Sequence, residues 1–371
     1  MQREGIFNGK ENSKMKKILC FIDSLGAGGA QRQMVGLALM LKEKGYGVKV
    51  LVYHDNPFFL QTLVDAQIDV EINHKAAKHF SRIYYIYKSI NSFNPDVVIS
   101  YLDTPNIIAS ICKLLGGKFK LIVSERNTTQ KITKIGRLKY YLFKEVDYVV
   151  PNSFTQENFI KEHFQYLIPK LKVIPNFVDT DHFLPAMIDK SCNEPIILSM
   201  GRITPQKNIL NYLKAIAILR KRGLKFRAIW YGNTDNREYE KECYRLLNEL
   251  QLNSVFEFRS ASKDVVNKYQ EASIFCLPSL FEGTPNVLCE AMSCGVPIVC
   301  SDVCDNSRLV ENSFNGYLFN PLDANDISDK LNRMLILTKK EYDVMSDNCR
   351  FVAKEKFSKK KFIDRYLTIV Q

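Results

Sequence analysis

Two carboxylates, Glu282 and Glu290, stand eight residues apart in Phe281-Glu282-Gly283-Thr284-Pro285-Asn286-Val287-Leu288-Cys289-Glu290-Ala291-Met292-Ser293-Cys294-Gly295-Val296-Pro297. Thr284 reads as a helix N-cap and Pro285 as the first helical residue, where a missing N–H costs nothing. Gly295 and Pro297 then stop the helix. Glu290 projects from the helix body and Glu282 from the loop ahead of it, so both approach one ligand across the helix start, which favours anions such as phosphate. Taken alone, the stretch is better read as an ordinary surface helix with an acid near its positive end.

A second group lies upstream in Gly201-Arg202-Ile203-Thr204-Pro205-Gln206-Lys207-Asn208. A strand end delivers Arg202 and a helix foot delivers Lys207, so two cations converge on one diphosphate; otherwise they are two solvated surface charges. Near the start, Ser24-Leu25-Gly26-Ala27-Gly28-Gly29-Ala30-Gln31-Arg32 is a glycine turn between strand and helix. It brings backbone to a phosphate or is merely tight. Gln31 occupies the third position of the dinucleotide fingerprint, and Asp55 imitates its ribose acid, so a nicotinamide-dependent oxidoreductase is one alternative.

The elements that carry these residues alternate. Strands are expected at Lys17 to Asp23, Val48 to Tyr53, Asp69 to Ile72, Val97 to Ser100, Leu121 to Ser124 and Tyr148 to Pro151, with helices between, the first over Gln31 to Lys44. A second cycle runs through Pro195 to Met200, Arg227 to Gly232, Val255 to Phe258, Ser273 to Pro278 and Pro297 to Ser301, with helices at Asn208 to Lys221, Tyr239 to Glu249 and Ser262 to Tyr269. A helical tail from Glu341 to Gln371 is broken at Phe357-Ser358-Lys359-Lys360. This is an α/β chain of two Rossmann-like, doubly wound halves, with a ligand expected at the carboxyl ends of the strands in the cleft between them.

At 371 residues, two domains are the expectation, and 46% apolar with 25% charged residues describes a soluble chain. No apolar run is long enough to span a membrane, and the first fourteen residues lack an apolar signal core, so a cytosolic protein is expected. The ten cysteines are scattered singly through apolar runs and read as reduced core residues; Cys289, Cys294, Cys300 and Cys304 lack metal-ligand spacing. The net charge of +12 is uneven: up to Pro175 there are 25 Lys and Arg against 15 Asp and Glu, and 27 against 25 beyond it. From Lys113 to Lys144, nine basic residues face Glu125 alone. An anionic partner suits that half.

Together, Gly201-Arg202 with Lys207, Glu282 and Glu290 with seven residues between them, Gly295-Val296-Pro297 and Ser301-Asp302 resemble the donor-binding domain of the retaining family 4, or group 1, glycosyltransferases. The resemblance runs from about Lys16 to the end and includes Val173-Ile174-Pro175-Asn176-Phe177-Val178-Asp179. It implies the GT-B fold, with a flexible tail over 1–15, an acceptor-binding domain over 16–175 completed by a helix at about 356–371, and a nucleotide-sugar domain over 176–355. It also implies catalysis by Arg202 and Lys207 on the diphosphate and by Glu282 on the transferred sugar, with Glu290 on the ribose. Gly28, Gly29, Gly201, Gly283, Thr284, Pro285 and Asn286 would complete the donor cradle. Gly232, Ser260 and the residues Phe258 to Ala261 would wall the base.

The implied reaction takes a sugar from a nucleoside-diphosphate sugar, UDP before GDP, to a glycan or lipid-linked glycan of a cell-surface polysaccharide. No cofactor or metal is expected, and both front-face attack and a covalent intermediate stay open. The family's histidine near the sugar is replaced by Ser124-Glu125-Arg126-Asn127, so Asp103, Glu125 and Arg126 are the acceptor-side candidates. Ala272-Ser273 and Asn306-Ser307-Arg308 also depart from the family pattern. Asp179-Thr180-Asp181 spells a metal-binding triplet but falls in the interdomain link, and His54, His74, His79, His163 and His182 have no ligand spacing.

Lys131, Lys134 and Arg137 recur beside Ile132, Ile135, Leu138 and Leu142. They form either a helix with its apolar side on the core or one lying on an anionic leaflet, which would hold the enzyme peripherally at the inner face of the plasma membrane near a lipid-linked acceptor. A nucleic-acid-binding protein is the remaining alternative, without a zinc, RNP or helix-turn-helix signature to support it.

Overall fold

The computed structural model describes residues 15–77, 81–186, 194–262 and 264–371. The expected tail, apart from Met15, lies outside these residues, as does His79. Two compact units divide the chain, one formed by residues up to Val123 with Glu145–Asp147, the other by Ser124–Lys144 and Tyr148–Gln371.

Six strands make the first sheet: β1 (Lys17–Phe21), β2 (Gly47–Val52), β3 (Asp69–Ile72), β4 (Val97–Tyr101), β5 (Lys120–Glu125) and β6 (Tyr148–Pro151). Their order is β3-β2-β1-β4-β5-β6, and β1 runs parallel to β2 and β4. The second sheet holds β7 (Ile196–Met200), β8 (Arg227–Tyr231), β9 (Phe256–Arg259), β10 (Ile274–Leu277), β11 (Ile298–Ser301) and β12 (Gly316–Phe319), ordered β12-β11-β10-β7-β8-β9 with every neighbouring pair parallel. The same winding thus occurs twice. It reverses direction between β1 and β4 and again between β7 and β10, and a doubly wound sheet offers its ligand crevice where two neighbouring connections part to opposite faces.

Near-continuous apolar runs produce these strands because helices cover both faces of a parallel sheet. All five residues of β4 and all four of β10 and β11 are buried. Beneath the second sheet, Trp230, Tyr212, Phe226 and Phe256 form one core, while Phe275, Tyr269, Leu288 and Met292 belong to another. Eight of the nine described cysteines are buried free thiols, and Cys304 is partly so.

Strand positions follow the sequence expectation to within a residue or two, except β12. That strand is four residues long, lies at the sheet edge and has no alternation to announce it. The helical tail is two helices, Lys339–Phe357 and Lys359–Val370, hinged at Ser358; Thr338 and Glu341 close a capping box at its start. No helix among the described residues is long and apolar enough to cross a membrane.

Candidate active site

β7 and β10 are neighbours at the reversal of the second sheet, and their carboxyl ends carry the two motif stretches. Beyond β7 the chain turns through Gly201 at φ +156°, a conformation L side chains rarely adopt. A Cβ there would come within 2.9 Å of Lys207 Cε, so the glycine also leaves the path of the lysine stem open. Gly232 backs this turn: its own Cβ would fall 1.9 Å from the Gly201 carbonyl oxygen, which accepts from Trp230 Nε1 at 2.9 Å.

The short turn Pro205–Lys207 ends at Asn208, whose φ is +56° and whose amide donates to the Pro321 carbonyl at 2.7 Å. Three contacts then lace this turn to the segment leaving β10. Leu280 N donates to Gln206 O at 2.8 Å, Gln206 Nε2 to Phe281 O at 2.9 Å, and Lys207 Nζ meets Glu282 Oε1 at 2.5 Å. Both side chains of this ion pair are largely withdrawn from water, at 14% and 10% exposure, so the mutual attraction is little screened.

Arg202 is placed differently. Its guanidinium is exposed and stands 3.8 Å from Asp235, so the two expected cations do not converge in this structure. Glu290, only 5% exposed, accepts from the Tyr269 hydroxyl at 2.9 Å. Its helix is Asn286–Ser293, with Pro285 as the cap residue. Thr284 therefore does not cap the helix; its hydroxyl instead donates to the Asn152 carbonyl. At the far end, Gly295 with φ +67° stops the helix as expected, and Arg350 grips the Ser293 carbonyl at 2.7 Å.

Gly232, Phe258, Arg259 and Ser260 line one recess of about 320 Å³ beside Asn233 and Thr234. Arg259 is held by the Tyr231 hydroxyl at 2.9 Å and Glu257 at 2.7 Å. The residues expected to wall a base thus share one surface. Gly283 borders Asn152, whose buried side-chain oxygen has no hydrogen-bond partner and would lie 3.0 Å from a Cβ on the glycine.

Gly28 and Gly29 belong to the other unit, where Gly28 precedes the helix Gly29–Glu43. Gln31 folds back across Gly28 to donate to Asp23 at 3.0 Å, so the residue that breaks the dinucleotide fingerprint fills the turn. Asp103 is exposed in the first turn of the helix Asp103–Leu114, also in that unit.

Glu125 and Arg126 are buried, at 2% and 8% exposure. Glu125 takes Lys139 at 2.7 Å and Tyr140 at 3.2 Å; burial pushes the Tyr140 phenol up, keeping it a neutral donor. Arg126 donates to Asn176 at 2.9 Å and to Tyr366 at 2.6 Å. Both side chains thus hold protein groups rather than standing open at a surface, as the acceptor-side expectation had them.

Asp179 pairs with Lys359 at 2.7 Å and Thr180 gives its carbonyl to Arg350, so the triplet is tied to the C-terminal helices. Among the described residues, no group of three or more His, Cys, Asp or Glu side chains is placed to hold a metal ion.

Asn152, Asn176, Tyr269 and Asp305 were not picked out by sequence reasoning. Asp305 accepts from the backbone of Phe154 and Thr155 at 2.6 and 2.8 Å, capping the helix Phe154–His163 from 150 residues away. The available signal was polar residues at the ends of apolar strands, as Asn152 after β6.

A cation and two carboxylates thus stand at the reversal point of a parallel sheet, next to a helix start, where doubly wound sheets hold their ligands. Residues 27–182 match the glycosyltransferase family 4 domain and residues 185–350 the glycosyl transferases group 1 domain. An Escherichia coli UDP-Gal:α-D-GlcNAc-diphosphoundecaprenol α-1,3-galactosyltransferase is 26% identical over 332 residues, 84% of this chain and 82% of that protein. A Campylobacter jejuni GalNAc-α-(1→4)-GalNAc-α-(1→3)-diNAcBac-PP-undecaprenol α-1,4-N-acetyl-D-galactosaminyltransferase is 28% identical, covering 86% and 89%. Among solved structures, Anabaena HepE in complex with UDP shares the fold with a TM-score of 0.82 at 19% identity, over 95% of this chain and 98% of that one.

The chain belongs to the group 1, family 4 glycosyltransferases and is a glycosyltransferase of GT-B fold. That membership displaces the oxidoreductase and nucleic-acid readings.

The Gly201–Gly232 contact is backbone on backbone and has no flexible side chain to give way. Gly232→Ala is therefore expected to cost about 3 kcal/mol or more, read as a drop in the urea midpoint; an unchanged midpoint would contradict the packing described.

Proposed function

We propose that this glycosyltransferase moves a sugar from a UDP-sugar to a glycan carried on a lipid diphosphate, retaining the anomeric configuration, in the assembly of a cell-surface polysaccharide. The observation that carries the donor reading is the Lys207–Glu282 pair at 2.5 Å, laced beside a helix start that also presents Glu290. In this reading Lys207 takes the diphosphate, and Arg202, free to swing from its exposed position, joins it. Glu290 binds the ribose hydroxyls, and Glu282 meets the sugar. The backbone N–H groups of Gly283, Thr284 and Asn286 face the phosphates, and the recess at Gly232 and Ser260 takes the base. Lipid-linked acceptors and UDP are what the two curated relatives and HepE, respectively, are described with.

In the chemical step the acceptor hydroxyl oxygen bonds to the anomeric carbon while the carbon–oxygen bond to the diphosphate breaks. A carboxylate already paired with a lysine is a weakened nucleophile, which favours attack from the leaving-group side. The departing phosphate oxygen then takes the acceptor proton. Lys207 and Arg202 neutralise the charge that develops there, a task preorganised side chains perform without a metal. Neither Glu125 nor Arg126 is assigned to the acceptor, because both are occupied within the protein; Asp103 keeps that candidacy.

Membrane docking is part of the same proposal. Ile135, Leu138 and Tyr141 are 70, 54 and 60% exposed on the helix Lys134–Leu142, next to exposed Lys131, Lys134 and Arg137. Lys144 stands 4.5 Å from the Tyr141 ring and 4.9 Å from that of Tyr166. An apolar and aromatic face fringed by cations suits the headgroup region of an anionic leaflet.

Incubated with UDP-sugars and a synthetic undecaprenyl-diphosphate glycan in EDTA, the enzyme is expected to give a product whose anomeric proton coupling matches the donor's. An inverted product, or turnover only after a divalent metal is restored, would overturn the corresponding part. Reversing Lys131, Lys134 and Arg137 to Glu is expected to weaken binding to phosphatidylglycerol vesicles about a hundredfold or more, since each cation contributes roughly 1 kcal/mol; unchanged vesicle binding would count against the docking face.

A further inference from the structure

We infer that Asn176, oriented by Arg126, is a positioning residue that fixes the loop 283–286 for the donor phosphates. The inference rests on the donor reading above. Asn176 is 7% exposed, and both ends of its amide are engaged. Its oxygen accepts from Arg126 Nη1 at 2.9 Å, while its nitrogen donates to the Thr284 carbonyl at 2.9 Å and to Asn286 Oδ1 at 2.8 Å. Arginine only donates, so the amide oxygen must face it, and the NH2 must then face the loop. Tyr366 holds the other guanidinium nitrogen at 2.6 Å from the helix Lys359–Val370. A buried guanidinium needs such partners to offset its desolvation, and the two terminal nitrogens of Arg126 find them in Asn176 and Tyr366.

Its end point is the peptide between Thr284 and Pro285. Thr284 is held by its carbonyl through Asn176 and by its hydroxyl on the Asn152 carbonyl. Pro285 has a fixed φ of its own and no N–H. With the plane ahead of it held, the first turn of the helix Asn286–Ser293 and its backbone N–H groups point in one direction. Those N–H groups are what a diphosphate would meet, whereas a nucleoside without phosphates would meet Glu290 and the base recess instead. The relay ends at the start of this helix, a turn ahead of Glu290, and therefore acts chiefly on the phosphate part of the donor.

The test compares a nucleoside diphosphate with its bare nucleoside by calorimetric titration, using whichever of UDP, GDP and ADP the wild-type chain binds most tightly. Asn176→Ala and Asn176→Asp remove or invert the donor that faces Thr284. Tyr366→Phe, the mildest change, covers the case in which they do not fold, and melting curves establish which variants do. Folded Asn176 variants are expected to lose about tenfold in diphosphate affinity, the worth of one or two buried hydrogen bonds, while nucleoside affinity stays at the wild-type value. Tyr366→Phe is expected to change affinity in the same direction by a smaller factor. Wild-type diphosphate affinity in the folded variants, or an equal loss for diphosphate and nucleoside, would overturn the inference while leaving the donor site standing. A wild-type chain that binds none of the three diphosphates would remove the donor reading itself.

Discussion

A lysine ammonium and a carboxylate held 2.5 Å apart, both mostly out of water, are the constraint around which the second unit is built. Withdrawing two charges from solvent costs several kcal/mol each, and the attraction between them offsets this only when the geometry is enforced. The enforcement is visible in the backbone. Gly201 takes a φ that other residues avoid and leaves room for the lysine stem, Gly232 gives the Gly201 carbonyl space, and Asn208 adopts a left-handed turn anchored on Pro321. Such departures from relaxed geometry are sustained where surrounding structure over-determines them. Here the surroundings are the two central strands of a parallel sheet, whose ends the doubly wound order brings side by side.

Around that pair the work is divided by distance. Lys207 and Glu282 sit at the strand ends, Glu290 lies back in the helix with Tyr269 on one oxygen, and Arg202 remains in solvent beside Asp235. The buried groups are preorganised and the exposed one is free to move. In the function proposed above, preorganised charge needs no rearrangement as a leaving group develops its own, and an exposed arginine would add the last counter-charge once a substrate is present. Arg126 and Glu125 illustrate the opposite use of charge: each is spent on neighbouring protein groups.

Much of this was legible in the chain itself. Apolar runs followed by glycine turns gave away eleven of the twelve strands, since strands buried on both faces need little more than continuous hydrophobicity. β12, four residues at an edge, carried no such pattern. The pairing of Lys207 with Glu282 follows from strand order, which no local pattern encodes, and so the two stretches were recognised as one site only by their resemblance to a family. Arg202 stands apart from Lys207 because a loop cation beside an acid is held by Asp235 as readily as by a ligand. Asn176 figured only as part of the interdomain stretch and was given no role, because its contacts lie 108 and 110 residues away, and Thr284 was assigned to a cap that Pro285 occupies.

The central claim is that Lys207 is the group that recognises a diphosphate, with Glu282 as its partner in the protein. Titrating UDP and UMP into the wild-type chain and into Lys207→Met tests this most directly, with melting curves to confirm that the variant is folded. The account predicts that the wild-type chain prefers UDP by about tenfold or more, in keeping with a charge-assisted contact to the second phosphate, and that Lys207→Met binds the two nucleotides alike. A folded Lys207→Met chain that keeps the full preference for UDP would contradict it.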